Sequence, residues 1–225
     1  MTRSFEWIVA VCLALEICVG ARAGDEPSTE KNEALTVGQA LPDFVSLDET
    51  GQAWKWDDLK GRKVVVFYFY PGDFTGGCIK QAESFREGLK SLEDLDVAVV
   101  GISGDQAATH QLFKQSHGLR HTLLADPDGV IAEQLGIPVR RHDKAAIVHA
   151  VGLDRKRLLD EQGKPITVER KVTYPRWTLI VDQKGKLVSK RTQVNPGTDA
   201  DEVRKIVESL PIDARGDARA GDMSK

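Results

Sequence analysis

The sequence predicts an α/β fold in which helices cover both faces of a central mixed β-sheet. Three observations lead to this prediction. Residues 64–70 (VVVFYFY) are apolar on both faces, as expected of a strand in the middle of a covered sheet. Strand-like runs alternate along the chain with stretches of helical periodicity. Near the end, the turn residues 183–185 (QKG) separate two strand-like runs, which indicates a hairpin and therefore a partly antiparallel sheet.

The remaining elements are predicted from periodicity and from turn residues. Residues 37–44 lead into a short strand, and residues 54–59 form a second short strand or a turn. Pro71 and Gly72 end the strand at 64–70, and apolar positions at steps of three and four then predict an amphipathic helix at 78–92. Further strands are predicted at 96–103 and 121–125, and further helices at 106–117 and 130–135.

The C-terminal third contains one stretch with an ambiguous pattern. In residues 140–172 we expect a helix near 145–159, broken at Gly152, then a turn and a strand at 166–172. The predicted elements that follow are the hairpin strands at 177–182 and 186–190 and a last amphipathic helix at 201–210.

Composition indicates a soluble globular protein with one domain. Of the 225 residues, 41% are hydrophobic and 29% are charged. The net charge is −3, and no block of like charges occurs along the chain. We therefore expect no nucleic-acid partner and no binding to an anionic membrane surface.

The first residues have the layout of a secretory signal peptide. Arg3 precedes an apolar run at 7–20, and an A-x-A site at 21–23 follows. The apolar run is short for a membrane span, although an uncleaved leader that anchors the chain is the alternative. We expect export to the periplasm or outside the cell. The predicted organisation is a signal peptide at 1–23, a polar linker at 24–36, one domain at 37–210 and a disordered tail at 211–225.

The positions of the three cysteines make Cys78 the candidate reactive residue. Removal of the leader would also remove Cys12 and Cys18, and a single remaining thiol cannot form an internal disulfide. Cys78 follows a strand and a turn at the start of a predicted helix, where free N–H groups and the helix dipole favour a negative charge. This position favours the nucleophilic thiolate. A buried structural thiol that fills a gap under the turn is equally compatible with it.

The neighbours of Cys78 favour the reactive alternative. Pro71, Thr75 and Cys78 form the pattern P-x-x-x-T-x-x-C. Thr75 lies near the expected N-cap, where its hydroxyl can reach an N–H group of the first turn or a bound oxygen. Pro71 has no N–H group and offers an apolar wall beside the sulfur.

Residues 67–87 (FYFYPGDFTGGCIKQAESFRE) resemble the active-site segment of peroxiredoxins, in the AhpC/TSA superfamily. They are most similar to the bacterioferritin-comigratory, or Q-type, subfamily. The resemblance begins near residue 37 (VGQALPDF), continues through VVGISGD and LLADPDGVIAEQLGI, and ends at PRWTLIVDQKGKLV. It implies a thioredoxin-like fold that reduces hydrogen peroxide and organic hydroperoxides, with no metal or organic cofactor.

The resemblance also implies a role for each matching residue. Cys78 matches the peroxidatic cysteine, Thr75 the hydroxyl residue that binds sulfur and peroxide, and Pro71 the proline that screens the site. Arg176 matches an arginine before a late strand, where its guanidinium would stabilise the thiolate and hold the peroxide oxygens. Taken alone, Arg176 would be an ordinary solvated arginine. The implied reaction converts Cys78 to a sulfenic acid, which an external thiol, thioredoxin-like or of low molecular weight, then reduces.

Three features differ from the family pattern. Glu83 occupies the position, five residues after Cys78, where many Q-type members have a second cysteine, so a one-cysteine mechanism is expected. Gly76 replaces the usual proline between the threonine and the cysteine, which leaves the first residue of the helix open. Residues 139–174 are longer than is usual in the family. This insertion could serve partner docking, an oligomer contact or neither.

Three other functions fit the sequence less well: a metal site, a thiol–disulfide enzyme and a non-catalytic binding module. The five histidines have no close metal-ligand spacing, so solvated or structural roles are expected, although His110 and His117 share one predicted helix face.

A thiol–disulfide reductase or isomerase would need C-x-x-C, whereas Thr75 lies three residues before Cys78. A non-catalytic binding module on the same fold is the other alternative. Rapid oxidation of Cys78 by micromolar peroxide would distinguish a peroxidase from both. The sequence decides neither the reducing partner nor the oligomeric state.

Overall fold

The structure is a computed structural model that describes residues 35–211 and residue 214. All the described residues belong to one compact unit. The predicted signal peptide, and nearly all of the predicted linker and tail, lie outside the described residues. Within the described part, no helix is both long enough and apolar enough to cross a membrane.

Nine strands and four α-helices form the described part of the chain, together with one 3-10 turn at Trp56–Asp58. The strands are β1 (Val45–Asp48), β2 (Ala53–Lys55), β3 (Val64–Phe69), β4 (Val97–Ser103), β5 (Thr122–Ala125), β6 (Arg140–His149), β7 (Thr167–Thr173), β8 (Trp177–Val181) and β9 (Leu187–Arg191). The helices are α1 (Gly76–Glu93), α2 (Ala107–His117), α3 (Val130–Gln134) and α4 (Asp199–Ser209). Outside residues 140–172, the predicted helices and strands from residue 64 onward are confirmed to within two residues at each end.

One mixed sheet organises the domain. In the described part of the chain it has seven strands, in the order β2-β1-β5-β4-β3-β8-β9. β3 lies in its interior, parallel to β4 and antiparallel to β8. β8 and β9 form the predicted antiparallel hairpin. The connection from β3 to its parallel neighbour β4 passes through α1, so the turn that follows β3 leads directly into a helix packed on the sheet.

β3 is buried on both faces, as its sequence predicts. Val66 and Tyr68 pack into a cluster with apolar residues of α1, α2 and α4. Val65 and Phe67 point to the opposite face, where they pack with Trp56 and residues of α3. Full burial of a large apolar side chain contributes about 1.5–3 kcal/mol, so β3 alone accounts for a substantial part of the hydrophobic stabilisation.

The predicted helix near residues 145–159 is wrong. Residues 140–149 instead form β6, which pairs antiparallel with β7 in a separate two-stranded sheet. We call this unit the β6–β7 hairpin (residues 140–173). The predicted strand at 166–172 is confirmed as β7. A short apolar run fits either a helix or a strand by its spacing, and the pairing with β7 decides for the strand.

Candidate active site

The turn between β3 and α1 (residues 70–75) carries Pro71 and Thr75 and leads to Cys78. We call it the β3–α1 turn. α1 begins at Gly76 with Thr75 as its N-cap, so Cys78 is the third residue of the helix. The structure thus decides the helix start that the sequence left open. Cys78 lies in the first turn, where a helix leaves backbone N–H groups without partners of its own.

Thr75 does not cap the helix with its side chain. The hydroxyl donates instead to the carbonyl oxygen of Gly72 at 3.0 Å, so the bond expected to a helix-start N–H group is absent. Because the hydrogen is used in this bond, the oxygen keeps its lone pairs for an incoming donor. Pro71 is half-buried in the same turn.

Arg176 contacts the sulfur of Cys78, although the two residues are 98 positions apart in the chain. Its Nη2 lies 3.3 Å from Cys78 Sγ. The sheet explains this contact, because β8 is antiparallel to β3 with Trp177 opposite Phe69. The residue before Trp177 therefore reaches the point where the chain leaves β3. Gly77 gives the guanidinium room, since a Cβ there would lie 3.1 Å from Nη2.

A second contact orients the guanidinium of Arg176. Nη1 donates to Oε1 of Gln81, whose amide group donates to the buried carboxylate of Asp199 at 2.7 Å. Arg191 forms an ion pair with the same carboxylate. Neither Gln81 nor Asp199 is among the site residues that the sequence predicts. Gln81 has a signal in the sequence, because it lies three residues after Cys78 and thus on the same helix face. Asp199 lies in α4, far from Cys78 in the chain, and no local sequence pattern connects it with the site.

The sulfur lies in an enclosed, apolar environment. Cys78 is 1% exposed and belongs to the same buried cluster as Tyr68 and Tyr70. Burial raises the pKa of both tyrosines well above the ordinary value, so both remain neutral phenols. Gly76 and Gly77, in the same helical turn, are exposed.

A buried polar cluster ties the β3–α1 turn to α2 and β5. The carboxylate of Asp73 accepts a hydrogen bond from the Tyr70 hydroxyl at 2.8 Å and another from His110 Nδ1 at 2.8 Å. His110 Nε2 lies 3.1 Å from the carbonyl oxygen of Leu124. Both ring nitrogens face acceptors, an arrangement that favours the protonated ring of His110. Burial lowers the pKa of His110, but the charge and hydrogen bond of Asp73 outweigh it and raise the pKa above its ordinary value.

The buried histidines have structural partners. His117 Nε2 bonds to the carbonyl oxygen of Val151 at 2.9 Å, and His121 Nε2 lies 2.8 Å from the hydroxyl of Tyr68. Among the described residues, no three His, Cys, Asp or Glu side chains are grouped so that they could hold a metal ion. The structural role expected of these histidines agrees with their contacts.

The sequence profile described as the AhpC/TSA family matches residues 37–190, which is more than half of the chain. The chain belongs to the AhpC/TSA family. Peroxiredoxin Bcp of Bacillus subtilis (strain 168) is 35% identical over 139 residues, 61% of this chain and 87% of that protein. The chloroplastic peroxiredoxin Q of Populus jackii is 42% identical over 175 residues, 77% of this chain and 68% of that protein.

The fold of this AhpC/TSA protein is also found in solved structures. The crystal structure of peroxidoxin BcpB from Mycobacterium tuberculosis superposes with a TM-score of 0.61 at 24% identity, covering 79% of this chain and 99% of that chain. The predicted thioredoxin-like fold and the resemblance to the Q-type subfamily are confirmed. As a peroxiredoxin, the protein is an oxidoreductase of the thiol-dependent peroxidase class.

Glu83 of this peroxiredoxin, in the position of the second cysteine of many Q-type members, takes part in a charge cluster. Its carboxylate forms an ion pair of 2.6 Å with Arg155, in the connection between β6 and β7. His117 Nδ1 lies 3.8 Å from the other carboxylate oxygen. Within the described residues, Cys78 is the only cysteine, and it is a free thiol.

Proposed function

We propose that this peroxiredoxin reduces hydrogen peroxide and organic hydroperoxides through Cys78 alone and is regenerated by an external thiol. The observation that carries the proposal is the 3.3 Å contact of Arg176 Nη2 with Cys78 Sγ at the start of α1. A guanidinium N–H that donates to sulfur favours the thiolate over the thiol, and the helix dipole acts in the same direction. The thiolate is the form that attacks peroxides.

The first chemical step oxidises the sulfur. The thiolate of Cys78 attacks the terminal oxygen of the peroxide, so that an S–O bond forms while the O–O bond breaks. The sulfur loses two electrons to the peroxide, and Cys78 becomes a sulfenic acid. The leaving hydroxide or alkoxide takes up one proton from solvent and departs as water or an alcohol.

Two side chains would orient the peroxide during this step. Thr75 donates its hydroxyl hydrogen to Gly72, so its oxygen can accept the O–H of the peroxide. Arg176 offers a fixed N–H donor to the oxygen that gains negative charge as the O–O bond breaks. Pro71 screens this side of the β3–α1 turn from solvent. These are the roles that the family resemblance implies for the three residues.

The second step needs a thiol from another molecule. Cys12 and Cys18 lie in the predicted leader, and Glu83 occupies the position of a second cysteine. An external thiol would condense with the sulfenic acid, releasing water and forming a mixed disulfide. A second thiol would then displace Cys78 as a thiolate and leave the reductant as a disulfide.

Oxidation of the reduced protein by one equivalent of hydrogen peroxide tests the proposal. A sulfenic acid trap such as dimedone should add once per chain within seconds, at Cys78, as measured by intact and peptide mass spectrometry. Cys78→Ser should give no adduct and no peroxide turnover with excess thiol. A wild-type protein that gives no adduct but reduces insulin disulfides would instead be a thiol–disulfide enzyme.

We also propose that the protein is exported after removal of residues 1–23. The basic, apolar and A-x-A segments of the N-terminal sequence support this proposal. Protein isolated from its native cells should begin at Gly24 when its N-terminus is determined by mass spectrometry. An intact Met1 in the cytoplasmic fraction would refute export.

A further inference from the structure

We infer that Arg170, on strand β7, is a positioning residue for the β3–α1 turn: its buried guanidinium holds the backbone that places Thr75 at the start of α1. This inference deepens the proposed function and rests on it. It also gives the β6–β7 hairpin a role, because the longer segment 139–174 delivers this arginine.

Arg170 holds one residue of the turn, Asp73, both directly and through Asp105. Its Nη2 donates to the backbone carbonyl oxygen of Asp73 at 2.6 Å, and its Nε donates to Asp105 Oδ1 at 2.8 Å. Asp105 Oδ2 in turn accepts the backbone N–H of Asp73 at 2.8 Å. Arg170 and Asp105 therefore hold both the carbonyl and the N–H group of the same residue.

The turn needs such support because its backbone is unfavourable by itself. Phe74 has a φ of 59°, in the left-handed region that non-glycine residues rarely adopt. Gly72 has a φ of 152°, which favours glycine. A conformation of this kind persists only where surrounding contacts determine it. The bonds from Arg170 and Asp105 lie between these two residues, on Asp73.

Shape complementarity places the guanidinium directly over the turn. A Cβ built on Gly72 would lie 2.3 Å from Cζ and from Nε of Arg170. Any side chain at residue 72 would therefore displace the arginine. The position of the Arg170 guanidinium therefore depends on glycine at residue 72.

Arg170 belongs to a buried cluster of charged groups with Asp73, Asp105 and His110. The positive and negative charges of this cluster are equal in number only when Arg170 is present. The side chain of Arg170 is 3% exposed, and that of Asp105 is fully buried. Asp73 and His110 are fully buried as well. Burial raises the pKa of Asp105, and so does the negative charge of Asp73, whereas Arg170 opposes both effects. Two carboxylates thus face two cations, and loss of the arginine would leave a buried negative charge.

Arg170 is positioned to act on the turn rather than on the charge of the sulfur. The cation that contacts Cys78 is Arg176, which Gln81 orients independently of the β6–β7 hairpin. Loss of Arg170 should therefore disturb the placement of Thr75 while leaving the thiolate in place. This separates two measurable rates: reaction with peroxide, which needs orientation, and alkylation by iodoacetamide, which needs chiefly the thiolate.

Arg170→Gln, Arg170→Lys and the exposed neighbour Lys171→Gln form a matched set. In Arg170→Gln, the rate constant for oxidation of Cys78 by hydrogen peroxide should fall at least about tenfold, since small misplacements near a reacting centre have effects of this size or larger. The rate of alkylation should change by less than about twofold. Lys171→Gln should match the wild type in both rates. Circular dichroism and thermal unfolding establish that each variant is folded.

Arg170→Lys keeps the inference testable if Arg170→Gln does not fold. Lysine preserves the buried positive charge but, as a point donor, cannot reproduce the two-armed bridge of the guanidinium. A folded Arg170→Lys with slower peroxide reduction and unchanged alkylation supports the inference. Full peroxide reactivity in either folded variant, or an equal fall in both rates, overturns it. If the wild type itself does not react with peroxide, the proposed function fails instead.

Discussion

Replacement of Arg176 by alanine removes the guanidinium N–H that lies 3.3 Å from the sulfur of Cys78. A hydrogen bond to a charged group contributes about 1.5–3 kcal/mol. Arg176 is half-buried, so solvent screening places its contribution near the lower value. About 1.5 kcal/mol of lost stabilisation in the transition state corresponds to roughly a tenfold change in rate. We therefore expect oxidation of Cys78 in Arg176→Ala to be at least about tenfold slower near neutral pH.

Single-turnover oxidation by hydrogen peroxide near neutral pH, followed by stopped-flow fluorescence, measures this effect. Arg120→Ala, which removes an exposed arginine, provides the control for net charge. A folded Arg176→Ala that reacts as fast as the wild type near neutral pH would refute the assigned role.

Three further changes test buried groups around the site. Gly101→Ala would place a Cβ 2.5 Å from Cζ of Tyr68; overpacking should lower the free energy of unfolding by about 1–3 kcal/mol, and an unchanged urea midpoint would contradict this. His110, whose pKa Asp73 raises against the effect of burial, stabilises the fold fully below about pH 6.5 and less as the pH rises through its raised pKa. The stability difference between wild type and His110→Gln should therefore shrink at alkaline pH; a constant difference would disprove the charge. His121, whose pKa burial lowers to about 3, acts in the opposite direction, so the wild type should lose more stability than His121→Gln as the pH falls below 6.5. Parallel acid unfolding curves would contradict that assignment.

Local sequence was sufficient to predict one half of the candidate site. Pro71, Thr75 and Cys78 lie within eight consecutive residues, and a strand, a turn and a helix start follow from composition and periodicity there. The other half is not local. The role of Arg176 could be predicted only from the family resemblance, because nothing in the neighbouring sequence distinguishes it from a solvated arginine.

The residues that hold the site were the hardest to predict. Asp199 supports Gln81 from α4, and Arg170 supports the β3–α1 turn from β7. The strand that carries Arg170 was predicted at 166–172, but the helix predicted at 145–159 in place of β6 left that strand without its partner. In the structure alternate residues of β7 are buried, and Arg170 is a charged residue on the inward face between Val168 and Val172.

The amino-acid sequence by itself determined the order of strands and helices outside β6, the two-faced burial of β3 and the place of Cys78 at the start of a helix. These properties depend on neighbours within one or two turns of chain, so spacing and residue type suffice to read them. Only the tertiary structure decided which distant side chains meet the sulfur and the turn that carries it. The register of β8 against β3 sets Arg176 beside Cys78, and the packing of β7 against the β3–α1 turn sets Arg170 over Gly72. Both contacts join residues about a hundred positions apart in the chain, which no local pattern specifies.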